Sequence, residues 1–130
     1  MEKKRCVWTN DDPLMNRYHD TEWGVPCRDD ERLFEYVVLD TFQAGLSWQI
    51  ILHKRENFRR PFDDFNSQKI AKYQKAKIRK LLLDPGIIRN RLKILGTIRN
   101  AVAFLKIQKE FKSFAVYLWS FVGHRTIVNK

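Results

Sequence analysis

Helical periodicity is the feature of this 130-residue sequence that most restricts its fold. From about residue 29 onward, apolar side chains recur every three or four positions, as they do on one face of an α-helix. The apolar-polar alternation of a β-strand is hard to find in the first thirty residues, which proline and glycine interrupt. The pattern predicts an all-α protein with a single helical domain over residues 1–130.

The periodic segments predict six helices, preceded by irregular chain with one short helix at most. The predicted helices span residues 29–39, 44–58, 67–73, 75–83, 88–111 and 114–122. The apolar stripe of the long fifth helix is predicted to consist of Leu92, Leu95, Ile98, Val102 and Leu105.

Composition narrows the class of protein. A hydrophobic content of 44%, with 13% aromatic residues, is typical of a globular protein rather than a disordered one. No apolar run approaches the length of a membrane span and no secretory leader is present, so we expect a cytoplasmic protein. Cys6 and Cys27 are then expected to be reduced thiols or metal ligands rather than a disulfide.

The net charge of +10 is distributed unevenly. Residues 1–53 contain 6 Lys/Arg against 10 Asp/Glu, whereas residues 54–112 contain 17 against 5. This basic segment favours binding to DNA, because each neutralised phosphate releases counterions without any base being read. A set of solvated, lysine-rich helix faces would produce the same distribution. Charge alone therefore leaves both interpretations open.

A short turn, Asp-Pro-Gly at residues 84–86, lies inside the basic segment between two predicted helices. Proline fixes one dihedral angle and glycine permits a positive φ, while the next helix would offer free backbone N–H groups to a phosphate. These features favour a helix-hairpin-helix that grips the DNA backbone over an ordinary αα-hairpin. The residues assigned to DNA binding are Gly86, Ile88, Arg89, Arg91 and Lys93.

Asp40 is an acid in an otherwise apolar stretch, between Leu39 and Phe42. A carboxylate buried among apolar side chains is costly unless it is paired, protonated or used in chemistry, so Asp40 is a candidate functional residue. Asp is also a favoured N-cap, and a helix beginning near Gln43 would give Asp40 a purely structural role. The stretch alone does not decide between these interpretations.

Four aromatic residues flank the basic segment: Trp8, Tyr18, Trp23 and Trp48. Flat rings beside a phosphate grip can enclose a base that has left the duplex. A carboxylate beside such a slot, such as Asp40, would accept a hydrogen bond from an exocyclic amine or favour a cationic base. Trp23 is predicted to be a core residue instead.

Several motifs resemble those of the 3-methyladenine DNA glycosylase I (Tag) family, within the helix-hairpin-helix DNA glycosylase superfamily. The motifs cover nearly the whole chain: RCVW (5–8), DPL (12–14), YHDTEWGVP (18–26), QAGLSW (43–48), KREN (54–57), GIIRNRLKI (86–94) and WSFV (119–122). The resemblance implies a base-excision repair enzyme that flips an alkylated adenine out of double-stranded DNA and hydrolytically releases free 3-methyladenine. We further expect the protein to be a monomer and to have no membrane partner.

The resemblance also implies roles for individual residues. Trp48 matches the tryptophan that stacks on the methylated base, while Trp8 and Tyr18 match further walls of the pocket. Asp40 stands where the family usually has the glutamate that recognises the edge of the base, which makes it the implied catalytic and base-binding acid.

Three departures from the family pattern touch the implied site: the shortened acid, a missing second tyrosine and a missing second pair of zinc ligands. Asp40 is one methylene shorter than glutamate, which withdraws the carboxylate by about 1.5 Å. Met15 occupies a position where the family can present a second tyrosine. Phe42 is larger than the usual residue there and is expected to reshape the slot. The preferred lesion is therefore left open.

The family carries a structural zinc, and Cys6 and His19 match two of its ligands. The remaining ligands belong to a C-terminal segment that a chain ending at Lys130 is expected to lack. Structural zinc normally takes four protein ligands, so we predict a half site with zinc absent or weakly bound. The alternative function is a truncated or catalytically inactive helix-hairpin-helix DNA-binding module.

Overall fold

The computed structural model describes residues 3–129. All regular secondary structure in this range is helical and no strand occurs in it, which confirms the predicted all-α class. The α-helices are α1 (Pro13–Thr21), α2 (Asp30–Gln43), α3 (Trp48–Arg59), α4 (Ser67–Ile70), α5 (Lys75–Leu82), α6 (Arg91–Phe111) and α7 (Phe114–Ser120). Short 3-10 helices lie at Val7–Thr9 and Asp63–Phe65. No helix of this range is long and apolar enough to cross a membrane.

The largest difference from the predicted boundaries lies between α2 and α3. α2 continues to Gln43, beyond its predicted end, so Asp40 lies inside the helix. α3 begins only at Trp48, where the Ser47 hydroxyl accepts a hydrogen bond from the Ile50 N–H at 3.2 Å. Asp40 therefore caps no helix, and its purely structural interpretation is wrong.

α6 begins at Arg91, later than predicted, because Asn90 caps it with a side-chain oxygen that accepts the Lys93 N–H at 3.1 Å. The predicted apolar stripe is also displaced, since Leu92 is 80% exposed and Val102 39%. The residues of α6 that are buried are Ile94, Thr97, Ala101 and Phe104. Apolar character alone mispredicts this face because α2 and α4 pack against the side that carries Ile94, Thr97, Ala101 and Phe104, which includes a polar and a small residue.

The hydrophobic core between α2, α3 and α6 is rich in phenylalanine. Phe34, Phe42, Phe58 and Phe62 are each at most 1% exposed. The Phe42 ring lies 4.9 Å from that of Phe58 and 5.6 Å from that of Phe62, edge to face in both cases. Phe42 is therefore a core residue, and the expectation that it reshapes the base slot is wrong.

A buried ion-pair network joins α1, α2 and α3. Arg55 of α3 donates to Glu22, just beyond α1, at 2.9 Å and to Glu35 of α2 at 2.5 Å. Arg59 also donates to Glu35. Two cations of the basic segment thus pair with acids from the first half of the chain. They hold the helices together and add little free charge to the surface.

Candidate functional site

An aromatic cavity of about 430 Å³ opens where the first 3-10 helix, α1 and the start of α3 meet. Other surface cavities of similar volume have mainly polar and charged walls. The aromatic cavity is lined by Trp8, Asn10, Met15, Tyr18, Trp23, Ser47, Trp48 and Gln49. Three of the predicted base-binding residues therefore share one cavity, and the fourth, Asp40, is outside its lining.

The rings of the cavity lie at several orientations. The Trp48 and Tyr18 centroids are 5.4 Å apart with planes at 55°, and the Trp8 and Tyr18 centroids are 6.3 Å apart with planes at 63°. Neither pair is stacked in parallel, so a flat ligand would meet aromatic surface on more than one side. Such ring faces also attract cations, which favours a positively charged purine over a neutral one.

Trp23 belongs to the cavity wall and not to the core. It is 50% exposed, and its ring meets that of Trp8 edge to face at 5.3 Å. Its backbone N–H donates to the Tyr18 carbonyl at 2.9 Å, so the chain turns at the end of α1 and brings Trp23 back toward that helix. The prediction that Trp23 is a core residue is wrong, because the turn after α1 keeps this side chain at the surface.

Sequence reasoning missed the polar residues of the lining, which are Asn10, Ser47 and Gln49. Ser47 and Gln49 flank Trp48 in the sequence, and this position is the signal that could have identified them. In a mainly apolar cavity, a few polar side chains fix the orientation of a small ligand.

Asp12 joins the two helices that form most of the cavity. One carboxylate oxygen caps α1 by accepting the N–H groups of Leu14 at 2.9 Å and Met15 at 3.3 Å. The other oxygen contacts Gln49 Nε2 at 2.8 Å and His53 Nε2 at 2.5 Å, both on α3. The hydrogen bond from His53, together with weaker contributions from Gln49 and the two backbone N–H groups, lowers the pKa of Asp12 to about 2. This joint fixes one cavity wall against the other.

Asp40 lies near the cavity but in a different environment from the one predicted. The residue is exposed, and it makes no hydrogen bond or ion pair within residues 3–129. Neighbouring protein removes part of the water around the carboxylate, and this desolvation raises the pKa of Asp40. Desolvation raises the pKa of Tyr18 as well, with further contributions from the charges of Glu22 and Asp40. The charge of Asp40 thus influences Tyr18, one of the residues that line the cavity.

The segment between Asp40 and Trp48 consists of the last residues of α2 and a tight loop, residues 44–47, with a defined hydrogen-bond pattern. Gln43 closes it, since its carbonyl accepts the Leu46 N–H at 2.7 Å and its side chain donates to the Leu46 carbonyl at 2.6 Å. Gly45 has a φ of +81°, a left-handed conformation that favours glycine. The loop therefore holds a fixed shape between the acid and the stacking residue.

The predicted hairpin consists of α5, residues 83–90 and α6. Gly86 has no positive φ. A Cβ at this position would lie 3.1 Å from Asp84 Oδ1 and 3.2 Å from the Cβ of Asn57 on α3, so a larger residue would fit only if these neighbours shifted by a few tenths of an ångström. The Asp84 side chain stabilises the turn by accepting the Gly86 N–H at 2.8 Å. The predicted turn is present, but the predicted reason for its glycine is wrong.

The five residues assigned to DNA binding differ in their contacts. The Gly86 N–H already donates to the Asp84 side chain. Arg89 and Arg91 are exposed and have no ion-pair partner in the described range, and the backbone N–H groups of Ile88 and Arg89 donate no hydrogen bond there. Lys93 instead donates to backbone carbonyls of the loop after α2. The hairpin thus presents cations and free N–H groups to solvent, but Lys93 is not among them.

The two predicted zinc ligands lie side by side. The Cys6 backbone N–H donates to His19 Nε2 at 3.4 Å, and His19 Nδ1 contacts Asp20 Oδ1 at 3.1 Å. No group of three or more His, Cys, Asp or Glu residues that could hold a metal ion occurs in residues 3–129. Cys6 and His19 alone do not complete the tetrahedral set that structural zinc normally has.

Residues 8–130 match the methyladenine glycosylase family. The chain belongs to that family. It is 45% identical over 127 residues to DNA-3-methyladenine glycosylase 1 of Escherichia coli (strain K12), covering 98% of this chain and 68% of the relative. It is 42% identical over 125 residues to DNA-3-methyladenine glycosylase of Haemophilus influenzae (strain ATCC 51907 / DSM 11121 / KW20 / Rd), covering 96% and 68%.

Solved structures of family members share the fold. A crystal structure of 3-methyladenine DNA glycosylase I has a TM-score of 0.92 at 45% identity, covering 98% of this chain and 70% of that one. A variant of 3-methyladenine DNA glycosylase I in complex with 3-methyladenine has a TM-score of 0.89 at 35% identity, covering 92% and 64%. The Staphylococcus aureus enzyme, solved to explain 3-methyladenine recognition, has a TM-score of 0.89 at 36% identity, with the same coverage.

Proposed function

We propose that this protein is a DNA-3-methyladenine glycosylase, a base-excision repair enzyme that releases 3-methyladenine from alkylated DNA. The observation that supports this most directly is the cavity with walls of Trp8, Tyr18 and Trp48, found in a chain 45% identical to a glycosylase of this specificity over 98% of its length. Its substrate is double-stranded DNA carrying the lesion, and its products are the free base and an abasic site.

The reaction makes modest demands on the site. Methylation at N3 leaves the purine cationic, so the base departs as a neutral leaving group and no strong acid is needed. The bond between N9 and C1′ of the sugar breaks, its electron pair stays on the base, and a water oxygen bonds to C1′ and loses a proton. The protein must extrude the base, enclose it and favour the cation.

The residues near the cavity fit these demands. Trp48, Tyr18 and Trp8 would enclose the flat base, and their ring faces favour a cation. Asp40 places a negative charge beside the same site, and this charge also favours the methylated purine over unmodified adenine. The base would thus be selected by its charge as well as by its shape.

We assign the DNA grip to the hairpin of α5 and α6, which we interpret as a helix-hairpin-helix. Arg89 and Arg91 and the free backbone N–H groups of Ile88 and Arg89 would contact phosphates without reading sequence. Cys6 and His19 would supply two zinc ligands, and no chemical step is assigned to the metal. A monomeric state and a cytoplasmic location remain predictions.

A base-release assay tests the proposed function. Duplex DNA treated with a methylating agent is incubated with the protein, and free bases are separated chromatographically. We expect 3-methyladenine to be released, and we expect Trp48→Ala to abolish both release and binding of the free base. A DNA-binding module, the alternative, would bind duplex DNA in a salt-dependent way and release nothing.

A further inference from the structure

Lys93 connects the hairpin to the loop beside the aromatic cavity. Its ammonium nitrogen donates to the Phe42 carbonyl at 2.8 Å and to the Ala44 carbonyl at 2.6 Å. The residue lies in the first turn of α6, directly after the hairpin turn, whereas both acceptors lie at the end of α2. One side chain thus bridges segments that are far apart in the sequence.

The acceptors are groups that a helix end normally leaves unsatisfied. The last carbonyls of an α-helix have no intrahelical partner and form the negative end of its dipole, so a cation placed there is favourable. Ala44 also precedes Gly45, the residue with positive φ in the tight loop. Lys93 therefore stabilises the loop at the point where the helical conformation stops.

The geometry leaves Lys93 poorly suited to a phosphate contact. A lysine ammonium has three donors, and two of them are used here by protein carbonyls. Lys93 is partly buried, while its neighbours Arg89 and Arg91 are exposed. A phosphate would have to compete with two short hydrogen bonds to reach Lys93, whereas the two arginines have no partner in the described range to give up.

We propose that Lys93 is a positioning residue for base excision and not a DNA-backbone contact. By holding the carbonyls of Phe42 and Ala44, it fixes the end of α2 and the loop of residues 44–47 that leads to Trp48, and it couples the hairpin to the cavity. This inference rests on the proposed function, because positioning is measured through release of the base.

Three variants separate positioning from phosphate binding. Lys93→Met removes the ammonium but keeps an unbranched side chain, Lys93→Arg keeps a cation with several donors, and Arg91→Met removes an exposed cation from the same turn. Each is measured for single-turnover release of 3-methyladenine at saturating DNA, for the salt dependence of duplex binding, and for hydrogen exchange of the Leu46 amide.

We expect Lys93→Met to slow single-turnover release by roughly 10- to 100-fold, because small misplacements of catalytic groups have effects of this order. Exchange at Leu46 should become faster, and the salt slope should stay as in the wild type. Lys93→Arg should restore most of the rate. Arg91→Met should reduce the salt slope by about the amount expected for one lost phosphate contact, and it should leave exchange at Leu46 unchanged.

The opposite pattern overturns the proposal. If Lys93→Met reduces the salt slope as Arg91→Met does, and exchange at Leu46 is unaltered, Lys93 is a phosphate contact. Lys106→Met, on an exposed part of α6, controls for loss of charge alone. If Lys93→Met does not fold, Lys93→Gln replaces it. If the wild type releases no base, the proposed function fails, and exchange at Leu46 still decides whether Lys93 orders the loop.

Discussion

Asp40 and Trp48 illustrate how two residues of one short segment reach different environments. Trp48 lines the aromatic cavity, while Asp40 is exposed and makes no hydrogen bond or ion pair within residues 3–129. An exposed carboxylate without a partner costs the fold little, so Asp40 can be changed without removing a structural contact. Its role is therefore open to direct mutational analysis.

Lengthening the Asp40 side chain and neutralising it should change activity in opposite directions. We expect Asp40→Glu to raise kcat/KM for release of 3-methyladenine, because the longer side chain reaches further toward the cavity. Asp40→Asn should lower kcat/KM, because the charge that favours the cationic base is lost. Both variants should unfold at the same temperature as the wild type. Equal kcat/KM values in all three proteins would remove Asp40 from the site.

Two polar features of the helices are expected to depend on pH or on salt concentration. Asp12 links α1 to α3 through Gln49 and His53, and the hairpin between α5 and α6 presents Arg89 and Arg91 to solvent. The Asp12 joint holds the cavity walls together, and the hairpin is the element to which DNA binding is assigned in the proposal. Each therefore makes a separate prediction.

The Asp12 joint should make stability depend on pH in the acid range. Its pKa is about 2 in the folded protein, below the ordinary value of about 3.9. Stability from this carboxylate is therefore present above about pH 4 and is lost as the pH falls through about 2. Asp12→Asn keeps a good N-cap but removes the charge.

Urea unfolding at several pH values measures this effect. We expect Asp12→Asn to be less stable than the wild type near neutral pH, with a difference that shrinks as the pH approaches 2. His53→Gln should reproduce the loss, because His53 is the main cause of the lowered pKa. A difference that does not vary with pH would contradict this account.

Charge reversal tests the hairpin. Arg89→Glu and Arg91→Glu should each weaken binding to all duplexes to a similar degree and flatten its salt dependence, as expected for lost phosphate contacts. Lys106→Glu makes the same charge change on an exposed position of α6 away from the turn. Unchanged affinity and salt slope in both arginine variants would place the DNA grip elsewhere.

Across the whole molecule, the net charge of a sequence segment differs from the unpaired charge that the segment exposes at the surface. Arg55 and Arg59 of the basic segment are paired with Glu22 and Glu35 from the acidic first half. The exposed cations that remain belong mainly to α4, α5, the hairpin and α6. Counting charges along the chain therefore overstates the free positive charge of residues 54–112.

Zinc content is a property of the whole chain and remains a prediction. We expect the purified protein to retain well below one equivalent of zinc after dialysis, because Cys6 and His19 provide only two of the four ligands that structural zinc normally has. Mass spectrometry of the metal content measures this. One equivalent retained by the wild type, and lost in both Cys6→Ser and His19→Ala, would show that other ligands complete the site.

The sequence by itself determined the all-α class, the boundaries of α5 and α7 to within two residues, and the motifs of the family. Periodicity, turn residues and motifs are local properties, so they can be recognised without knowing how the helices pack. Local reasoning also identified Trp8, Tyr18 and Trp48, because they lie within or beside motifs that resemble the family.

Only the tertiary structure decided which distant groups meet. Asp30, in the first turn of α2, accepts the N–H groups of Phe114 and Ala115 at 2.8 Å each and so satisfies the first two N–H groups of α7. Lys93 caps the end of α2, and Trp23 joins the cavity wall instead of the core. A polar side chain can satisfy helix ends that are remote in sequence, and packing of the whole chain selects among them.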